Sequence, residues 1–87
     1  DPARTRFEQA LAIHRETKNR RFEGAHTCAS SFVELAEGRI AEARADWLRG
    51  AALLRDLGDS SQLARERDIM RAACGKAGVR EFDEDQA

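Results

Sequence analysis

An all-α fold is the expectation for these 87 residues, and three observations carry it. Apolar residues recur at the three-four spacing of a helix face in four successive stretches. Sustained apolar–polar alternation is missing and β-branched residues are few, so no strand is expected. Residues 7–19, FEQALAIHRETKN, return in altered form forty residues later as WLRGAALLRDLGD at 47–59. The pairs fall in register: Phe7 with Trp47, Ala10 with Gly50, Leu11 with Ala51, Ile13 with Leu53, Arg15 with Arg55, Asn19 with Asp59. A period of that length points to units that stack to cover one another's apolar faces.

The first helix opens with Asp1 as N-cap and Pro2 in its first turn. It carries Phe7, Ala10, Leu11 and His14 on one stripe with Ile13 at the flank, and it runs to about Thr17, where Asn19 punctuates a turn. The second, about 20–37, places Phe22, Ala25, Ala29, Phe32, Val33 and Ala36 on one face and ends at Gly38, a glycine able to adopt positive φ. The third, about 39–57, bears Ile40, Ala43, Trp47, Gly50, Ala51, Leu54 and Leu57, with Leu48 and Leu53 widening the apolar surface. Gly58-Asp59 ends it. Asp59 or Ser60 caps a fourth helix, about 60–76, with Leu63, Met70, Ala73, Cys74 and Ala77. Val79 and Phe82 are positioned to fold back onto the core. Short connections force antiparallel neighbours, and Ala10, Ala43, Gly50 and Ala51 let helix backbones approach closely.

The chain is 41% apolar and 36% charged with one proline and six glycines, which fits a folded helical domain of residues 1–80. Residues 81–87 hold four acids and no base, an acidic and flexible tail by composition, and leave +3 on the rest. That excess is too small for a nucleic-acid footprint, so no nucleic-acid partner is expected. No apolar run reaches the roughly 20 residues of a membrane span, and no membrane partner is expected. Thirteen of the fifteen bases are arginine, the bias of a GC-rich bacterial genome. Two cysteines without ligand spacing read as thiols in a reducing, cytoplasmic setting. The start at Asp1-Pro2, in mid-pattern, reads as a fragment of a longer protein.

The stretches ALAIHRETKNRRFEG (10–24), EGRIAEARADW (37–47) and ALLRDLGD (52–59) resemble the tetratricopeptide repeat in its long bacterial variety. Gly38-Arg39-Ile40 with Glu42-Ala43 matches that family's turn between its two helices. Glu23-Gly24 matches the opening of its first helix. Phe7 and Trp47 take the aromatic place of its second helix, and Ala10 and Gly50 the small one. Ser30-Ser31 and Glu34 depart from the family, which has Leu-Gly and an aromatic there. Two accounts of the second helix follow. Either it is rotated so that Phe22, Ala29, Phe32 and Val33 enter the core, or the family's phase holds and Phe32 and Leu35 form an exposed concave strip.

The resemblance implies a non-catalytic interaction module for a protein or peptide partner, with a groove between the second and fourth helices. Carried over residue by residue, it nominates Ala25, Phe32 and Leu35 on the former and Arg65 and Asp68 on the latter as partner-binding. Two alternatives stand beside it. One is self-association into a homodimer through uncovered end faces. The other is a regulatory helical segment of a bacterial transcription regulator or signalling kinase.

Residues that carry chemistry elsewhere lack their companions here. His14 and His26 are the only histidines, too few with Cys28 for a zinc site of three or four ligands, so no metal or cofactor is expected. Cys28 as a nucleophile would need a histidine base, which His26 at i−2 does not supply, and no catalytic residue is nominated. Gly75-Lys76-Ala77-Gly78 has a glycine-loop look but lacks the preceding strand and the spacing of a phosphate loop. Arg65, Arg67 and Arg71 are interrupted by Glu66 and Asp68, the pattern of ion pairs within a helix surface. Trp47 reads as core through its match to Phe7.

Overall fold

The computed structural model describes residues 2–82, apart from the side chains of residues 2, 3, 7 and 14. It is all-helical: α1 (Pro2–Ala36), α2 (Ile40–Asp56) and α3 (Ser60–Ala77), with no strand among the described residues. Three-residue turns at 37–39 and 57–59 join them, so consecutive helices are antiparallel.

All three helix ends are built alike. Gly38, Gly58 and Gly78 have φ of 82°, 71° and 70°, a left-handed conformation that costs glycine little. After each glycine the next N–H reaches back five residues: Arg39 to the Glu34 carbonyl (2.9 Å), Asp59 to Leu54 (3.0 Å), Val79 to Cys74 (3.0 Å). This closure satisfies carbonyls that a helix end would otherwise leave open. The next helix then starts differently in each case. Asp59 caps α3 by accepting from the Gln62 N–H, whereas Arg39 before α2 makes no such side-chain bond.

The stopping glycines stand twenty residues apart, and the same step back from Gly38 lands on Lys18. The break expected at Asn19 is absent there. Residues 2–36 form one helix, so three helices replace the four that the sequence pattern led us to expect. Arg15, Glu16, Lys18, Arg20 and Arg21 are all good helix formers. The echoed pair Gly58-Asp59 has become Lys18-Asn19, which removes the residue that would let the chain turn.

The structured bundle occupies only part of α1. Gly50 of α2 faces Gly24 and Cys28, Trp47 meets Phe32, and Asp59 meets Arg21, so α2 runs back along α1 from its C-terminus to about Arg21. The described side chains of residues 4–23 are exposed, except for half-buried Thr17. Residues 4–20 project about 25 Å beyond the bundle at 1.5 Å per residue, in a molecule whose principal extents are 59 × 22 × 20 Å.

Trp47, Leu54 and Met70 are the largest fully buried side chains, and α1 meets them with Gly24, Thr27, Cys28, Ser31 and Leu35. The Ser31 hydroxyl donates to the Cys28 carbonyl, which satisfies a buried polar group within its own helix. Of the two accounts of residues 20–36, the rotated one is therefore overturned. Phe22 is 73% and Val33 59% exposed, and Ala29 is also on the outside. Phe32 lies between the two, half-buried with its ring 6.2 Å from that of Trp47. Leu35 is buried, so it forms no exposed strip.

Phe82 folds back as expected: it is buried, and its N–H reaches the Met70 sulfur at 3.3 Å. Glu81 beside it pairs with Arg71 at 3.4 Å. The remainder of the acidic segment, 83–87, lies outside the described residues.

Candidate functional site

Where the C-terminal turn of α1 passes the C-terminal turns of α3, the two helices do not close on each other. A groove of about 230 Å³ opens there, lined by Phe32, Leu35 and Ala36 from α1 and by Ala73, Lys76 and Ala77 from α3. Three alanines keep it open, because none has atoms enough to fill the gap. Phe32 and Leu35 form its floor from positions already fixed by the core, Phe32 against Trp47 and Leu35 within the buried cluster. Lys76, exposed in the last turn of α3, is the only charged residue of the lining. Its place near a helix C-terminus is electrostatically favourable for a cation.

The nominated residues are distributed unevenly around this groove. Phe32 and Leu35 line it. Ala25 is half-buried farther up α1, while Arg65 and Asp68 are exposed on α3 and do not line it. Sequence reasoning missed Ala36, Ala73, Lys76 and Ala77. Lys76 sat in the glycine-flanked segment set aside as a spurious phosphate loop; that segment is the end of α3 with Gly78 as its stop. The available signal was the run of small residues over the last two turns, Ala72, Ala73, Cys74, Gly75 and Ala77, which leaves a shallow helix surface.

A second, polar recess lies where α1 meets α2, lined by Ser30, Val33, Glu34, Arg39 and Asp46. The carboxyl groups of Glu34 and Asp46 come together there. The neighbouring Asp46 carboxyl first, then burial, raises the Glu34 carboxyl above its ordinary range, with Arg39 opposing. Glu34 Oε1 is buried without a hydrogen-bond partner. Asp46 also holds Arg49 at 3.0 Å, and Arg39 is held by Glu37 at 2.8 Å and Glu42 at 2.9 Å.

The other candidates are structural. His26 is exposed and stacked on Phe22, with centroids 6.1 Å apart and planes 6° from parallel. Cys28 and Cys74 are both fully buried and form no disulfide. Trp47 is fully buried too, with its ring N–H unpaired, so it is core rather than a surface anchor. Arg21 pairs with Asp59 at 2.8 Å, tying α1 to the start of α3. Among the described residues no three His, Cys, Asp or Glu side chains converge to hold a metal ion. Nor is any helix among them long and apolar enough to cross a membrane.

Comparison with known protein families, with curated proteins and with solved structures gives no match to this chain.

Proposed function

We propose that this chain is a non-catalytic helical module of the tetratricopeptide kind that holds a short segment of another protein in the α1–α3 groove. The observation that carries this reading is the groove's composition: an apolar floor of Phe32 and Leu35, alanine walls and one lysine at the rim. Such a cleft accepts one apolar side chain, with a carboxylate placed to meet the lysine. Both walls belong to the helices that the resemblance assigns to a groove. Regular glycine stops at twenty-residue intervals and the forty-residue echo support a repeated helical plan.

The test is fluorescence polarisation with labelled peptides that carry a leucine or phenylalanine next to an aspartate or glutamate. Ala36→Trp fills the groove from an exposed position and should weaken binding at least about tenfold, equivalent to 1.4 kcal/mol. Lys76→Glu should shift preference toward peptides with a base beside the apolar anchor. Equal binding by all three proteins would refute the groove as the capture site.

A further inference from the structure

The face that carries the α1–α3 groove continues beyond the cavity itself. Ala73 and Lys76 form the α3 wall of that cavity. At about 100° per residue Ile69 falls between them around the helix, one turn before Ala73, and it is 46% exposed. Arg65 follows a turn earlier, so Arg65, Ile69 and Lys76 lie within about 40° of one another on α3. α1 offers an uncharged counterpart. Its Ala25, Ala29, Phe32 and Ala36 fall within about 60° of one line, with Ala25 half-buried and Ala29 exposed.

Charge along this face has one sign. Arg65 and Lys76 stand at its two ends, both exposed and about 16 Å apart at 1.5 Å per residue. Neither takes part in an ion pair among the described residues. The neighbouring acids are turned away or occupied. Asp68 lies about 100° round the helix from Ile69. Glu66 is buried and accepts the Gln62 side-chain amide at 2.8 Å. Glu34 lines the α1–α2 recess instead. The chain's own return after Gly78 takes another side of α3, where Glu81 holds Arg71 at 3.4 Å and Phe82 is buried with its N–H on the Met70 sulfur. Arg71 is about 160° round the helix from Ile69.

We infer that the partner held here is an extended segment with an acidic residue at each end, one carboxylate on Arg65 and the other on Lys76. Two apolar side chains lie between, one on Ile69 and one in the cavity. This rests on the proposed function and deepens it, adding a second charge and a second apolar anchor to the same site. Alternate side chains of an extended chain share a face and stand about 6.6 Å apart. Acids at the first and seventh places and apolar residues at the third and fifth therefore meet Arg65, Ile69, the cavity and Lys76 in turn. The long arginine and lysine side chains take up the few ångströms by which such a segment overruns the helix spacing. A segment with bases at its ends would meet like charge at both.

Fluorescence polarisation with labelled, end-capped Glu-Ser-Leu-Ser-Leu-Ser-Glu tests it, beside three peptides with either or both glutamates changed to glutamine. The two-glutamate peptide should bind about threefold more tightly than either single-glutamate one, a margin that molar salt removes. Arg65→Gln should make it equal to one single-glutamate peptide and Lys76→Gln to the other, which also reads the direction of the bound chain. Ile69→Gln should weaken all four about threefold, with helical signal and Trp47 fluorescence unchanged because the residue is at the surface. If Ala36→Trp weakens binding while Arg65→Gln and Ile69→Gln leave it as it was, the groove stands and the two-ended partner is overturned. No binding by the wild-type chain, or no effect of Ala36→Trp, would overturn the groove and this inference together.

Discussion

At Gly50 a single hydrogen fixes how closely two helices approach. A methyl group there would stand 2.9 Å from the Gly24 carbonyl oxygen and 3.0 Å from the Cys28 nitrogen, both backbone atoms, and 2.7 Å from the Cys28 sulfur. Backbone cannot swing aside as a side chain does, so α1 and α2 would have to separate along their length. Gly50→Ala should therefore cost about 1–3 kcal/mol in denaturant unfolding followed by Trp47 fluorescence. Gly24→Ala should cost less, because its added methyl meets the Leu54 side chain at 3.1 Å. An unchanged midpoint for Gly50→Ala would show that the helices can part freely. Glu34 offers a second residue-level test. Its raised carboxyl takes up a proton on folding, so the stability it adds is complete below the ordinary value of 4.5 and is lost as pH rises through the raised value. Glu34→Gln removes the titrating group and keeps the side chain's size. The wild-type melting temperature relative to that variant should be highest in acid and fall toward neutrality. A constant difference across that range would show that the Glu34 carboxyl does not bear on folding.

For the elements, the glycines decide where helices stop, and the residue types between them decide only that helix persists. The turns at 37–39 and 57–59 were legible because Gly38 and Gly58 stand where the apolar stripes end. The expected break at Asn19 failed for the same physical reason: asparagine tolerates the left-handed conformation but does not demand it, and Lys18 occupies the glycine's place. Lys18→Gly should cost about 1 kcal/mol of local helix stability relative to a good helix former. Helical signal in the far-ultraviolet should drop, while Trp47 fluorescence stays as it is. If the helical signal is unmoved, something other than local propensity holds the first half of α1. The face of α1 was misjudged for a reason visible in its partner. Trp47 and Leu54 of α2 are large, so α1 must answer with Gly24, Cys28 and Ser31, and its bulkier Phe22 and Val33 are left outside. Large apolar side chains mark a buried face only where the opposing surface has room for them.

On the scale of the whole molecule, the chain is a bundle with a long projecting helix. The groove lies at one end of the bundle, between α1 and α3. Phe32 and Leu35, which the resemblance places by position, line the gap, whereas Arg65 and Asp68 do not, since it opens at the last turns of α3 and not near its start. Two of its six lining residues were therefore named from the sequence, and the four that depend on where α3 diverges from α1 were not.

Taken alone, the sequence determined that the chain is helical, where α2 and α3 begin and end, and that Trp47 belongs to the core. Those properties follow from local chemistry: periodic apolar residues, and glycines that alone accept positive φ without strain. The tertiary structure decided which face of α1 is covered, which alanines border the groove, and that the Glu34 carboxyl stands beside that of Asp46. Each of these depends on two surfaces meeting, and a periodic pattern within one helix does not specify the size or charge of the surface opposite.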